Sequence, residues 1–274
     1  MALQRPILRS RVRNEMASMS TSSSWKWMDR LNRREMLIGA LPQIKNALPQ
    51  QLSGVRSCAM IGCGNGSLEL EFVLGCLPNI IELTAVEPDA HEMAELRNRV
   101  AQRLPTVKTD FVQETAQRWT GNKKTFEVVL LFNVLAFVPV SERRVLFKKL
   151  FDNIVTSGGL VFILTNIDHS QDTNTFYGKL KSLLGLPLDN YCVEDIDVEQ
   201  VRDMMTSAGF HDCYELPIDY QWYVANMDND SVKMYVWMSG GRLSADEVRV
   251  AFETVIGDRK VIEDTMYLLA FRRP

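Results

Sequence analysis

Short apolar runs alternate with amphipathic stretches through the middle of the chain. The runs SCAMIG, IELTAVE, FEVVLLF and LVFILT predict buried strands, and VKTDFVQ, CYELPI and TMYLLAF predict three more. Between them, SLELEFVLGCL, HEMAELRNRVAQRL, SERRVLFKKLFDNIV and DVEQVRDMMTSAGF predict helices, and the second of these has its apolar residues on one face. Strands that alternate with helices at this spacing predict an α/β fold, in which helices cover both faces of a mostly parallel sheet.

Helix-breaking and capping residues predict where several elements begin and end. A first helix that starts near residue 25 is expected to end near Pro42. A later helix has Asp197 as N-cap, Gln200 in the capping-box position and Gly209 just past its end. A Ser-Gly-Gly turn is predicted at 157–159, before the fifth strand.

The chain is expected to form a tail over 1–24 and one large domain over 25–274. The tail carries four arginines, many serines and one acid. This composition is typical both of a disordered tail and of a mitochondrial transit peptide. A stretch over about 219–258 separates the last two strands, and Ser244 and Glu247 form a capping box within it. Such a late insertion is expected to bind substrate.

The bulk composition excludes several classes of partner. A net charge of −3 leaves no basic surface for nucleic acid or an anionic membrane. No apolar run reaches the roughly 18 residues that spanning a bilayer requires. The five cysteines lack a CxxC pair and the three histidines are scattered, so we expect reduced thiols and no metal. We therefore expect a cytoplasmic monomer, unless the tail directs it to mitochondria.

Three glycines, Gly62, Gly64 and Gly66, follow the first predicted strand in the segment GCGNG. Their GxGxG spacing differs from the GxGxxG of dinucleotide-binding loops, and no Lys-Ser or Lys-Thr pair follows, which excludes a P-loop. A loop at the carboxyl end of a parallel strand lines the crevice where ligands bind. The GxGxG spacing is typical of proteins that bind S-adenosyl-L-methionine (SAM).

Two further strand ends support this interpretation. Glu87 ends the second strand, where an acid can accept hydrogen bonds from both ribose hydroxyls of a cofactor, as it also does in NAD proteins. Asn133 and Phe132 end the fourth strand, which is expected beside the glycine loop. Each feature has a structural alternative: a tight turn, a surface acid or a buried strand. Together, in this order, they predict a SAM site.

The order of GCGNG, AVEPDA, FEVVLLFNVLAFV and SGGLVFILT resembles that of class I SAM-dependent methyltransferases. The segments VEPDA, LLFNVLAFV, MYVWM and KVIEDTMYLLAF resemble the histamine N-methyltransferase family in particular. The resemblance implies a doubly wound seven-stranded sheet of order 3-2-1-4-5-7-6, with an antiparallel last strand and a small helical substrate-binding insertion. It implies SAM as the cofactor. The cofactor-binding residues that it implies are Gly62, Gly64, Gly66, Glu87, Glu92, Thr115, Ala116 and Phe132.

The same resemblance implies an acceptor site for a cationic amine. The implied substrate-binding residues are Asp29, Asn133, Phe137, Trp237 and Asp264. Asp29 and Asp264 would attract the amine and take its proton, and the aromatic rings would provide cation–π contact. Two tryptophans that flank histamine in the family are replaced by Gln171 and Thr175, which implies a wider pocket.

We therefore expect SAM-dependent N-methylation of a small amine, either histamine-like or a larger aryl-ethylamine. An O-methyltransferase and an inactive binding protein of the same fold are the alternatives. The structural alternatives are a solvated helix face for Asp29, an acid at the start of a strand for Asp264, and core packing for Trp237.

Overall fold

The computed structural model describes residues 33–166, 196–223, 243–257 and 261–274. It also describes five isolated residues, Lys179, Ser182, Leu183, Val232 and Val236.

The described elements are seven strands and the helices around them. The strands are β1 (Ser57–Ile61), β2 (Glu82–Val86), β3 (Lys108–Val112), β4 (Phe126–Phe132), β5 (Val155–Asn166), β6 (His211–Tyr223) and β7 (Val261–Arg272). The α-helices are α1 (Arg33–Ala47), α2 (Pro49–Ser53), α3 (Glu69–Cys76), α4 (Ala90–Arg103), α5 (Val140–Lys149), α6 (Val198–Ala208) and α7 (Ala245–Ile256). A single π-helical turn, Leu150–Ile154, continues α5.

The seven strands form one sheet in the order β3-β2-β1-β4-β5-β7-β6, which confirms the predicted fold. Strands β1 to β5 are parallel to one another, and β7 runs antiparallel to β5. The central strands β1 and β4 are buried along almost their whole length. Their near-continuous apolar sequences follow from this position, because a parallel strand in the middle of the sheet is covered on both faces.

The chain divides into two compact units. One comprises Arg33–Ile167, Ile196–Tyr220 and Thr265–Pro274, and therefore contains β1 to β5 and most of the helices. The other includes Gln221–Asp264, to which α7 belongs. The substrate-binding role of the insertion at about 219–258 stays a prediction.

Aromatic packing joins the helices of the first unit to the sheet. Phe72 of α3 contacts Phe132 and Phe162, with ring centroids 5.7 and 4.7 Å apart. Phe210, just after α6, packs edge-on against Phe151 at 5.2 Å. Among the described residues, no helix has both the length and the apolar character needed to cross a bilayer.

The predicted end of the first helix at Pro42 is wrong, because α1 continues through this proline to Ala47. The buried side chains Leu37, Leu41 and Ile44 lie on both sides of Pro42 in the sequence. Their packing outweighs the roughly 3 kcal/mol that an interior proline costs. Pro42 itself is exposed, so its ring does not disturb this buried face.

The predicted Ser-Gly-Gly turn is also wrong, because residues 157–159 form a bulge inside β5. Phe126 of β4 pairs with Val155 of β5, and the next pair along the two strands is Val128 with Leu160. Between these two pairs, β5 contains more residues than β4. The extra residues of β5 bend the strand, and Gly158 takes a φ of +80° there.

The predicted helix caps are largely confirmed. The Asp197 side chain accepts the N–H of Glu199 rather than that of Gln200, and Gly209 ends α6 with a φ of +110°. Ser244 and Glu247 form the reciprocal capping box of α7.

Candidate cofactor site

The loops after β1, β2 and β4 lie side by side at the carboxyl edge of the sheet. In each loop, the first residue after the strand donates its backbone N–H to a carbonyl of the neighbouring strand. These hydrogen bonds join Gly62 to Val86 (2.7 Å), Glu87 to Val112 (3.1 Å) and Asn133 to Leu164 (2.7 Å). The glycine loop, Glu87 and Asn133 are therefore brought together at the edge where open α/β sheets bind ligands.

The three glycines of the loop have different surroundings, although all have a positive φ: +64° for Gly62, +50° for Gly64 and +73° for Gly66. A Cβ atom on Gly62 would lie 2.8 Å from Val134 Cγ2, and one on Gly66 would lie 2.4 Å from Leu96 Cδ1. A Cβ on Gly64 would meet a single carboxylate oxygen of α4, at 3.7 Å. Packing within the protein therefore requires Gly62 and Gly66, whereas Gly64 has open space for a ligand.

The carboxylate of Glu87 anchors this loop. Its Oε2 accepts the N–H of Gly64 at 2.7 Å, and its Oε1 accepts the N–H of Asp89 at 3.0 Å. Asp89 in turn caps α4 by accepting the N–H groups of His91 and Glu92. Burial raises the pKa of Glu87, and these two backbone hydrogen bonds oppose the increase. Each carboxylate oxygen keeps acceptor capacity for a ligand.

Two more buried carboxylates, Glu69 and Glu92, are electrostatically coupled to Glu87. Burial raises the pKa of Glu69 to about 8, and the charge of Glu87 adds to the increase. Burial also raises the pKa of Glu92 to about 7, with contributions from Glu95, Asp89 and Glu87. Within the described ranges, no group of histidine, cysteine, aspartate and glutamate side chains is arranged so that it could hold a metal ion.

Sequence reasoning missed Glu69. Its position in the first turn of α3, directly after the glycine loop, is the signal that could have identified it. A helix N-terminus attracts a carboxylate, even where burial opposes its ionisation.

The turn after β3, which contains Thr115 and Ala116, is held in place from two directions. The carbonyl of Thr115 accepts the N–H groups of Arg118 (3.1 Å) and Trp119 (3.0 Å). The carbonyl of Ala116 accepts the Lys149 ammonium at 2.8 Å. The indole N–H of Trp119 is buried and has no hydrogen-bond partner among the described residues. Contact of this turn with an adenine ring stays a prediction.

The end of β4 presents backbone and an amide to the same edge. The ring of Phe132 is buried against Phe72, so its contribution to a ligand site would come from its backbone. Asn133 has a φ of +56°, a left-handed conformation that asparagine tolerates better than most residues. A 3-10 turn follows at Leu135–Phe137 and leaves Phe137 36% exposed.

The predicted acceptor site is described only in part. Asp29, Trp237, Gln171 and Thr175 lie outside the described residues. Asp264 belongs to β7 and precedes by two residues Met266, which pairs with Asn166 at the end of β5. The side chain of Asp264 is not among the described ones, so its approach to Asn133 stays a prediction.

Residues 59–159, which span the strands from β1 to the start of β5, match the family model of a methyltransferase domain. No curated protein sequence is significantly similar to the chain.

Solved structures share the fold at low sequence identity. A candidate methyltransferase from Bacillus halodurans C-125 is 13% identical, with a TM-score of 0.59 over 86% of this chain and 98% of its own. The magnesium protoporphyrin IX methyltransferase of Synechocystis PCC 6803, solved with bound S-adenosylhomocysteine, is 12% identical, with a TM-score of 0.55 over 89% and 84%. The 4+2 cyclase SpnF is 12% identical, with a TM-score of 0.54 over 86% and 80%. Because one of these proteins is a cyclase, the shared fold alone does not determine the reaction.

The residues at the glycine loop fit SAM, the cofactor of this domain. The open side of Gly64 allows a ligand to approach bare backbone, and Glu87 is fixed as an acceptor for ribose hydroxyls. The carboxylates of Glu87 and Glu92 lie beside Gly64, and their negative charge when ionised would repel a pyrophosphate. It suits a cofactor that carries a positive sulfonium.

Proposed function

We propose that this SAM-dependent methyltransferase domain transfers its methyl group to the nitrogen of a small amine. The observation that carries the proposal is the position of Asp264, an acid in β7 two residues before the point where β7 pairs with the end of β5. The carboxyl end of β5 lies next to that of β4, where Asn133 follows the strand. An acid near this edge would attract a cationic amine towards the cofactor.

The cofactor supplies a methyl group that is already activated by its sulfonium, so the chain has to bind, align and exclude water. The anchored Glu87 and the open side of Gly64 would hold the cofactor at the edge of β1 and β2. The backbone at Phe132 and the amide of Asn133 would border it on the side of β4.

The amine must lose its proton before its lone pair can attack. In this proposal Asp29 and Asp264 attract the ammonium form and accept its proton. Phe137, which is partly exposed at the end of β4, and Trp237 would provide an aromatic wall for the cation. The resemblance to the histamine N-methyltransferase family puts Gln171 and Thr175 where that family has bulky flanking residues, so we expect an aryl-ethylamine larger than histamine to be the better acceptor.

Methyl transfer from labelled SAM to a panel of amines, catechols and carboxylates tests the proposal. We expect activity with amines, and a steep loss of kcat in Asp29→Asn and Asp264→Asn with little change in cofactor affinity. Glu263→Gln is the matched control, because Glu263 is the exposed acid next to Asp264 and has only Gln221 as a side-chain partner among the described residues. Reaction with oxygen acceptors alone, or wild-type rates in both aspartate variants, would show that the proposal is wrong.

A further inference from the structure

Glu92 lies beside Gly64, the glycine of the loop that has open space where Gly62 and Gly66 pack against other side chains. Its Oε2 is the atom that a Cβ on Gly64 would meet, at 3.7 Å. The N–H of the same glycine donates to Glu87 at 2.7 Å. Two carboxylates therefore approach Gly64 from two elements: Glu87 from the end of β2 and Glu92 from the first turn of α4.

The two carboxylates differ in how they are satisfied. Glu87 accepts two backbone N–H groups, whereas the carboxylate of Glu92 accepts no hydrogen bond from the part of the chain that the structure describes. Yet Glu92 is only 9% exposed, and its own N–H is used in the helix cap of Asp89. Neither oxygen of Glu92 is among the fully buried side-chain atoms that lack a partner, so its carboxylate keeps access to the open space at Gly64, where a ligand could contact it.

The charged groups that face Glu92 are mostly acidic. Glu87 faces it from the end of β2, Asp89 from the turn before α4, and Glu95 and His91 from α4 itself. Burial and the three acids raise the pKa of Glu92 to about 7, and His91 opposes this increase. Glu92 therefore changes its charge within the neutral pH range in the cofactor-free protein.

We propose that Glu92 is a titrating specificity residue of the cofactor site, whose ionised form favours SAM over the reaction product S-adenosylhomocysteine. The two ligands share the adenosine and amino acid portions, and they differ in the positive charge on sulfur. An ionised Glu92 attracts that charge and has no equivalent interaction with the neutral thioether of the product. The proposal concerns the cofactor and does not depend on the identity of the methyl acceptor.

The direction of the pH dependence follows from this charge difference. When Glu92 is protonated, at low pH, its carboxyl group is neutral and distinguishes little between the two ligands. As the pH rises and Glu92 ionises, SAM gains an attraction that the product lacks, so the ratio of product Kd to SAM Kd increases. If the pKa of Glu92 differs by about one unit between the two complexes, the ratio changes by about tenfold. SAM would then compete with the product for the site more effectively at alkaline pH.

Isothermal titration calorimetry with SAM and with S-adenosylhomocysteine, from pH 6 to 8.5, tests the proposal without any turnover. We expect the ratio of product Kd to SAM Kd to rise by about threefold to tenfold in the wild type. Glu92→Gln should remove most of this rise, because the amide keeps the shape of the side chain and cannot ionise. Glu95→Gln is the comparison variant: it keeps Glu92 but removes a neighbouring charge that raises the pKa of Glu92, so the rise should persist and move to lower pH. The amino group of each ligand also titrates, but it does so in the experiments with every variant. The difference between the wild type and Glu92→Gln therefore reports the titration of the Glu92 side chain.

A second measurement uses the wild-type protein alone. Calorimetry at pH 7 in buffers of different ionisation enthalpy counts the protons taken up on binding. We expect more protons to be taken up with S-adenosylhomocysteine than with SAM, because the positive sulfur keeps Glu92 ionised. A ratio of Kd values that does not change with pH, an equal rise in Glu92→Gln, or equal proton counts for the two ligands would each overturn the proposal.

Discussion

Substituting Gly64 and Gly66 one at a time by alanine should separate cofactor binding from folding. Both residues have positive φ, and a left-handed backbone costs an L-residue about 1–2 kcal/mol. At Gly64 the new methyl group would lie 3.7 Å from Glu92 Oε2, which is an ordinary van der Waals contact. Backbone strain should therefore account for the whole loss of folding stability. At Gly66 the methyl group would lie 2.4 Å from Leu96 Cδ1 and 3.3 Å from Leu70 Cγ.

The magnitudes follow from these contacts. Leu70 and Leu96 are fully buried, so neither can move without disturbing its neighbours, and overpacking a core costs about 1–3 kcal/mol. We therefore expect Gly66→Ala to lower the free energy of unfolding by about 2–5 kcal/mol, as the sum of both effects. Gly64→Ala should lower it by about 1–2 kcal/mol and should weaken SAM binding at least tenfold, because its methyl group points into the ligand space.

Urea unfolding of the cofactor-free protein and calorimetric titration with SAM measure the two effects separately. Gly158→Ala is the control for backbone strain, because Gly158 has a φ of +80° and a methyl group on its Cα would have no atom within 4 Å. This control should lose stability to the same extent as Gly64→Ala and keep wild-type SAM affinity. Unchanged SAM affinity in Gly64→Ala would refute the assignment of Gly64 to the cofactor. A stability loss in Gly66→Ala no larger than in the control would refute the packing argument.

Three buried acids of the first unit allow further tests. Glu87→Ala should weaken SAM binding by about 1–3 kcal/mol and also destabilise the loop, because two backbone N–H groups lose their acceptor; unchanged affinity in calorimetry would remove Glu87 from the site. The raised pKa of Glu69 means that the folded state holds its proton from about pH 4.5 to 8, so wild-type stability falls as the pH rises through this window. Urea unfolding at several pH values should show Glu69→Gln gaining stability relative to the wild type over that range, and parallel curves would contradict this. Glu71 binds Arg103 and Arg34, which hold its pKa below the usual value. The stabilisation that this ion pairing gives the folded state is therefore present above about pH 4.5, and it is lost as the pH falls through the lowered pKa of Glu71. Glu71→Gln should cost about 1–3 kcal/mol at pH 7 and less at pH 3, and an equal cost at both values would contradict the ion pairing.

The fold was largely predictable because its signals are local. Continuous apolar strands and amphipathic helices alternate along the chain, and the helix caps at Asp197, Ser244 and Gly209 involve residues close in sequence. The predicted end at Pro42 failed because the burial of α1 on both sides of the proline depends on distant partners. The bulge at Gly158 was missed for a similar reason, since its register is set by β4 and by Arg273, the residue just after β7.

The sequence by itself determined that three glycines in a GxGxG spacing follow a buried strand and that an acid ends the next strand. These are properties of short segments, and they were sufficient to predict a SAM site at the carboxyl edge of the sheet. Only the tertiary structure decided which glycine has open space beside it, because that depends on Val134 and Leu96, which come from other elements. It also decided the directions in which the pKa values of Glu69 and Glu71 shift. These acids are two residues apart on one short helix, yet burial raises the pKa of the first and two arginines lower that of the second.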